Sequence, residues 1–314
     1  MKVLIIGVAG FVGNHLIDFL SKQQDVYIYA TKLKTETLGI TGNNITAIDL
    51  DICCTAEVSE LIRQVRPDYI IHLAALSSVS YSWQEPALTF NINVIGTINL
   101  LEAVRQSDIY PRILLIGSAE EYGIVLPENL PIKENHNIDP KSPYAASKAS
   151  QELIARMYAS VYNLEIVMVR AFNHIGPGQS PVFAIAGFAE QIAKIEKGLQ
   201  EPVITVGNLS VKRDFTDVRD VVRGYWDLVR YGEKGEVYNI GSGKSLLLKT
   251  ILDTLISMSS RKINIEIDQR KFRPVDILEL RADISKIQNH INWKPEIDIN
   301  TTLSDILNYW RKKC

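Results

Sequence analysis

The sequence predicts a doubly wound α/β fold, a parallel sheet covered on both faces, with a smaller second unit. Three observations lead there. Short β-branched runs alternate with helical patterns through the first half of the 314 residues. The runs are continuously apolar rather than alternating, which marks strands buried on both faces. After about residue 172 the texture changes: FNHIGPGQSP is rich in Gly and Pro, and later strands are separated by longer irregular segments.

In order along the chain, the first strand is Lys2–Ile6, followed by the turn GVAGFVG and a helix over Gly13–Lys22. Val26–Ala30 and Ile45–Leu50 are the next strands, with Ala56–Gln64 helical by its apolar spacing. Tyr69–Ala74, Ile113–Gly117 and Leu164–Arg170 follow, with a long apolar helix over Thr89–Arg105 after the first of them. Ser142 suits an N-cap and Pro143 the first helical position, so a further helix starts there. The expected larger unit is 1–172 plus about 215–242; about 173–214 and 243–314 form a smaller α/β lid.

Composition narrows the function classes. With 46 % hydrophobic and 22 % charged residues this is an ordinary globular chain, long enough for two units. A net charge of −2 provides neither a basic footprint for nucleic acid nor a polybasic membrane patch. Three cysteines, Cys53, Cys54 and Cys314, make no disulfide framework, which points to the reducing cytoplasm. MKVLIIGVAGFVG mimics a short signal peptide, but glycines punctuate it and no clear cleavage site follows. No stretch approaches the ~18–20 uninterrupted apolar residues of a membrane span, and no metal site is expected.

The turn Gly7-Val8-Ala9-Gly10-Phe11-Val12-Gly13 sits between the first strand and a helix. Glycine there lets the backbone approach a pyrophosphate seated on the helix N-terminus. An NAD site places an acid at the end of the second strand. Here the segment is Tyr29-Ala30-Thr31-Lys32-Leu33-Lys34, with two lysines and no acid. A 2′-phosphate would be attracted, so NADP(H) is expected before NAD(H), unless the lysines merely solvate a loop. Asp51, after the third strand, could meet the adenine.

Tyr144 and Lys148 fall at i, i+4 on one helix face. An ammonium beside a phenol favours the phenolate, so the spacing predicts a lowered tyrosine pKa and a group able to exchange protons with a carbonyl or alcohol. Among 13 tyrosines such a pair also arises by chance. Its weight comes from company: the glycine turn, and Ser118 at the end of a buried strand in GSAEEYG. That strand also delivers Glu120 and Glu121, each either solvated or placed to move a proton.

The glycine turn, HLAALSS, NINVIGT, GSAEEYG, SPYAASK, RAFNHIGPGQSP, VKRDFTDVRDV and FRPVD together resemble the extended short-chain dehydrogenase/reductase family, in its nucleotide-sugar branch, over essentially the whole chain. The resemblance implies a Rossmann fold with Ser118, Tyr144 and Lys148 as the catalytic set. It places Gly7, Gly10, Phe11, Val12, Gly13, Thr31, Lys32, Asp51, Ile52, Leu73, Ala74, Ala75 and Asn93 around the dinucleotide, with Tyr144 and Lys148. Ser77, Ser78, Glu120, Asn173, Arg213, Arg273 and Asp276 would hold the nucleotide sugar. Arg213 and Arg273 are cations able to clasp a pyrophosphate, or else surface partners of Asp214 and Asp276.

Within the branch the resemblance is to reductases that take the 4-keto group of GDP-4-keto-6-deoxy-D-mannose to GDP-D-rhamnose, with Tyr144 as general acid. The related dehydratases and epimerases are the alternative. In the dehydratases the position of Glu120 carries a base, but their first turn contains a Gln-Asp pair that GVAGFVG lacks. A redox-inert NADP(H) sensor is the third reading. Thr89–Arg105 and Pro143–Tyr162 are apolar over more than one face, and the family pairs such helices across a two-fold axis, so a homodimer is expected, unless the helices only pack against the sheet.

Overall fold

The computed structural model describes residues 1–272 and 275–314. Six strands come from the first 171 residues: β1 (Lys2–Ile6), β2 (Tyr27–Lys32), β3 (Ile45–Asp49), β4 (Tyr69–His72), β5 (Arg112–Ser118) and β6 (Ile166–Ala171). Three short strands follow, β7 (Asn173–Ile175), β8 (Val203–Val206) and β9 (Lys212–Asp217). The chain then returns as β10 (Val237–Ile240) and ends with β11 (Ser245–Leu247), β12 (Asn264–Ile267) and β13 (Glu279–Leu280).

The main sheet has seven strands in the order β10-β6-β5-β4-β1-β2-β3. Every pairing in it is parallel. Strand order therefore runs outward from β1 in one direction and from β4 in the other, and a crevice must open between their carboxyl ends. β1 and β6 are buried almost throughout, as continuous Val/Ile/Leu runs require when both faces are covered.

One core packs helices Phe11–Ser21 and Val218–Tyr231 on the first face through Leu16, Ile17, Val222 and Tyr225. On the other face, Thr55–Val65, Gly96–Arg105 and Pro143–Val161 contribute Leu61, Leu100 and Ala155. Helix Pro86–Arg105 is apolar and long enough to cross a membrane by length and composition, but half of it is buried inside this fold. A π-helical turn at Asn91–Ile95 interrupts it.

The smaller unit has its own core, with Phe188, Ile204, Leu252 and Leu307 between Ala184–Glu196, Leu248–Ser257 and Ile299–Lys313. Its strands are β7, β9, β11 and β13 in one small sheet, and the β8–β12 pair.

Local boundaries differ from the expected ones in three informative places. The second strand runs on through Thr31 and Lys32, paired with Ile48 and Asp49, so these residues are strand rather than loop. Phe215–Asp217, expected in the larger unit, instead pair with Asn173–Ile175 in the small sheet. Ile287 and Trp293, expected in the lid, are buried in the main core. The Trp293 indole donates to the Asp220 carbonyl at 3.0 Å, stapling the late chain to the Val218–Tyr231 helix.

Candidate active site

A cavity of about 1320 Å³ opens at the carboxyl ends of β1, β4 and β5. Single-ligand sites occupy roughly 300–1,000 Å³, so there is room for two ligands end to end. Its walls run from the glycine turn through Ser118 and Tyr144 to Arg213 and Asp276.

The three glycines of the turn do different work. Gly7 has φ 86°, and a Cβ there would lie 2.6 Å from Ala74 Cα. A Cβ on Gly13 would lie 2.3 Å from the Val8 carbonyl oxygen, so the helix could not pack so close. Gly10 is the N-cap of Phe11–Ser21, with no side chain on its amides, and a Cβ there would meet nothing within 4 Å. Two glycines are therefore dictated by the fold, and the third leaves open an amide-lined helix N-terminus, the arrangement that suits a phosphate.

Phe11, Val12, Asp51, Ile52, Leu73, Ala74 and Ala75 line the same end of the cavity. The Asp51 carboxylate accepts the Cys53 amide at 2.9 Å. Thr31 is in the wall, but its hydroxyl accepts from the Gly7 amide at 3.1 Å and so faces the turn. Lys32 also lines the cavity, with its ammonium 2.5 Å from Asp49. Asn93 does not line it. Its amide oxygen accepts from Leu76 N at 2.8 Å and its nitrogen donates to Ser147 Oγ at 2.9 Å, so it braces the wall from behind.

At the reacting end, β5 terminates in Ser118, 7 % exposed, whose hydroxyl accepts from the Glu120 amide. Tyr144 sits on the first turn of Pro143–Val161, which Ser142 caps by accepting from Ala145 N. Burial pushes its phenol above the ordinary tyrosine range; a hydrogen bond with Ser118 works against that, and the Glu120 and Glu121 charges add to it. This reverses the expectation of a lowered pKa. The reason is burial, which disfavours the phenolate, while Lys148 Nζ donates to the Ile116 carbonyl at 2.7 Å and to Gln151 Oε1 at 2.9 Å. Burial lowers Lys148 itself to about 8, against the attraction of Glu121.

The adjacent glutamates of GSAEEYG separate completely. Glu120 is half-buried and lines the cavity with Ser118 and Tyr144. Glu121 is fully buried behind the strand, and its Oε1 accepts the Ser118 amide at 2.6 Å, closing a capping box. Burial, reinforced by the nearby Glu152 charge, holds the Glu121 carboxyl well above the usual carboxylate range.

On the far side of the cavity Ser77, Ser78, Asn173, Arg213 and Asp276 all reach the wall. Arg213 donates to the Ile277 carbonyl at 2.7 Å, and Asp276 accepts from Asn208 at 2.7 Å. Asp214 is no surface partner for Arg213. It is buried and accepts amides from Ser242, Gly243 and Ala282. Arg273 lies outside the described residues.

The GDP-mannose 4,6 dehydratase family model matches residues 4–306. The chain belongs to that family. Among curated relatives of this dehydratase family, it is 32 % identical to the GDP-6-deoxy-D-mannose reductase of Pseudomonas aeruginosa, over 99 % of this chain and 98 % of that one. Of solved structures, RMD from Pseudomonas aeruginosa complexed with NADPH superposes with TM-score 0.89 at 31 % identity, covering 100 % of both chains. The Thermus thermophilus UDP-glucose 4-epimerase complex with NAD gives TM-score 0.88 at 27 % identity, also over 100 % of both. The protein is thus an enzyme of the nucleotide-sugar branch of the short-chain dehydrogenase/reductases.

In this family member the sequence reading missed a buried ionic cluster beneath the site. Arg170 is 2 % exposed, donates twice to Glu152 at 2.8 and 2.7 Å, and stacks 4.7 Å over the Tyr122 ring. The signal was available: Arg170 is the one charge in an otherwise apolar strand, IVMVRA, and a buried charge must be paired.

Proposed function

We propose that this enzyme reduces the 4-keto group of a GDP-linked 4-keto-6-deoxy-hexose, GDP-4-keto-6-deoxy-D-mannose, to GDP-D-rhamnose. The observation that carries this reading is a buried phenol, held protonated and hydrogen-bonded by Ser118, in the wall of a cavity that begins at an open helix N-terminus. A bound nicotinamide supplies the reducing equivalent as hydride. Tyr144 gives its proton to the oxygen at carbon 4, and Ser118 orients that carbonyl and stabilises the phenolate left behind. A phenol kept neutral by burial suits a proton donor better than a base. Glu120, in the same wall, hydrogen-bonds the hexose, and Arg213 holds the diphosphate.

NADPH is the preferred dinucleotide in this reading, because Lys32 stands at the adenosine end of the cavity. Its partner Asp49 offsets part of that charge, so NADH is expected to work more weakly rather than to fail. Lys32→Ala should narrow the NADPH/NADH ratio of kcat/KM about tenfold, the size of one charge-assisted hydrogen bond.

The second reading is a 4,6-dehydratase, favoured by the placing of Glu120 beside Ser118 and Tyr144. There the Glu120 carboxylate would remove the carbon-5 proton. Two reactions separate the readings: GDP-4-keto-6-deoxy-mannose with NADPH, followed by loss of reduced nicotinamide, and GDP-mannose with NADP, assayed for a keto product. Turnover only in the first supports the reductase. Turnover only in the second overturns it and makes Glu120 the base.

We further propose a cytoplasmic homodimer. Ile95 on Pro86–Arg105, and Leu153, Met157 and Val161 on Pro143–Val161, are exposed apolar side chains on two adjacent helices. Such a face is the kind that a second copy covers.

A further inference from the structure

Glu121, the second acid of GSAEEYG, has no part in the reaction as read above. It is fully buried in the 3-10 turn Ala119–Tyr122 that follows β5, and it is not in the cavity wall. A carboxyl removed from water is costly unless it is paired, so its place calls for a reason. Pairing with a cation does not supply one. The Arg170 guanidinium comes only to 3.8 Å of Oε2. Its Nε and Nη2 are committed to Glu152 and its Nη1 to the Glu134 carbonyl. Oε2 has no hydrogen-bond partner among the described residues. Oε1 has one, the Ser118 amide, at 2.6 Å.

The strand is built to admit this contact. Gly117 stands in the otherwise apolar run of β5, where glycine weakens a strand and marks a close approach. A Cβ on Gly117 would lie 2.5 Å from Glu121 Oε1 and 2.8 Å from the Val169 carbonyl oxygen. Any side chain there would push the carboxyl off its place.

Ser118 is consequently held twice. Its amide donates to Glu121, and its hydroxyl oxygen accepts from the Glu120 amide at 3.2 Å. A hydroxyl has one proton and two lone pairs. With one lone pair taken by the Glu120 amide, the proton and the other lone pair are left for the Tyr144 phenol, with which Ser118 is hydrogen-bonded, and for a substrate oxygen.

We propose that Glu121 is a positioning residue for Ser118. Its Oε1 grips the amide of the last residue of β5 and so sets the direction in which the Ser118 hydroxyl meets Tyr144 and the reacting carbonyl. This rests on the reading above in which Ser118 orients that carbonyl. The reach of the acceptor matters here and its charge does not, because an amide oxygen in the same place accepts the same bond. Glu121 touches no ligand and moves no proton.

The test separates reach from charge. Glu121→Asp keeps the charge and withdraws the acceptor by one methylene, while Glu121→Gln keeps the reach and removes the charge. Each is made in the full-length protein, alone and with Ser118→Ala, and assayed with NADPH and GDP-4-keto-6-deoxy-mannose. Glu121→Asp should lower kcat about tenfold, the worth of one hydrogen bond, with KM and NADPH affinity unchanged within twofold. Glu121→Gln should recover all but about threefold of that kcat. In the Ser118→Ala background, Glu121→Asp should change kcat by less than twofold, because the hydroxyl it positions is gone. Gly117→Ala, which crowds the carboxyl directly, should show the same loss and the same dependence on Ser118, and it carries the test if Glu121→Asp does not fold. A loss that persists undiminished without the Ser118 hydroxyl would be general damage to the fold and overturns the proposal. So does a kcat as low in Glu121→Gln as in Glu121→Asp, or a normal kcat in Glu121→Asp. If the unaltered protein instead turns over GDP-mannose with NADP, the same cycle is run on that reaction. Turnover of neither overturns the reading of Ser118 itself, and the proposal with it.

Discussion

Tyr144 is governed by burial more than by its neighbours. Desolvation disfavours the phenolate, and Ser118 alone provides a compensating hydrogen bond. Tyr144→Phe should cut turnover by about 10²–10⁴-fold, the usual worth of a positioned proton donor, with dinucleotide affinity nearly intact by fluorescence titration; near-normal turnover removes it from the mechanism. Lys148 titrates in the folded protein near 8, below its ordinary 10.5. A depressed folded pKa contributes stability above pH 10.5, and that contribution is lost as pH falls through 8. At neutral pH the buried charge thus costs about 3 kcal/mol. Lys148→Met should accordingly raise the melting temperature at pH 7, with the gain fading as pH approaches 10.5, while activity falls. A melting temperature that drops at every pH would mean that the contacts to Ile116 and Gln151 outweigh the buried charge.

At the scale of single elements, the glycine turn makes a paired prediction. Gly13→Ala forces a methyl against the Val8 carbonyl, so the protein should lose stability by about 1–3 kcal/mol, the range for overpacking, read by denaturant unfolding. Gly10→Ala meets open space and should fold normally, yet bind dinucleotide at least tenfold more weakly. Strand β6 makes another. Arg170 and Glu152 are a buried, doubly hydrogen-bonded pair, so Glu152→Ala should cost about 3–5 kcal/mol by leaving a buried cation unpaired. Arg156, whose side chain is 43 % exposed against the same glutamate, should cost under 1 kcal/mol on truncation to Ala.

For the whole molecule the consequence is assembly. The two helices that carry exposed apolar residues pack on the opposite face of the sheet from the Val218–Tyr231 helix. Leu153→Glu together with Met157→Glu should convert a dimer to a monomer by light scattering at micromolar concentration. A protein that is already a monomer before the change sinks the homodimer.

Continuous apolar strands, the strand–glycine–helix turn and the Ser142-Pro143 helix start are local patterns, and the sequence by itself determined the parallel sheet and the helix that carries Tyr144. It also brought Gly10, Ser118, Tyr144, Arg213 and Asp276 onto one list, and all of them reach one cavity. What only the tertiary structure decided depends on neighbours remote in the chain. Lys148 and Tyr144 are four residues apart, yet the ammonium donates to the Ile116 carbonyl, 32 residues away, and burial sets the phenol's proton affinity. Asn93 has a site-like sequence context but spends its amide on Leu76 and Ser147. Glu120 and Glu121 are indistinguishable by type, and only the 3-10 turn after β5 sends one into the cavity and buries the other beneath it. Periodicity reports which face is apolar; burial, which sets the proton affinity of every group in this site, is a property of the assembled fold.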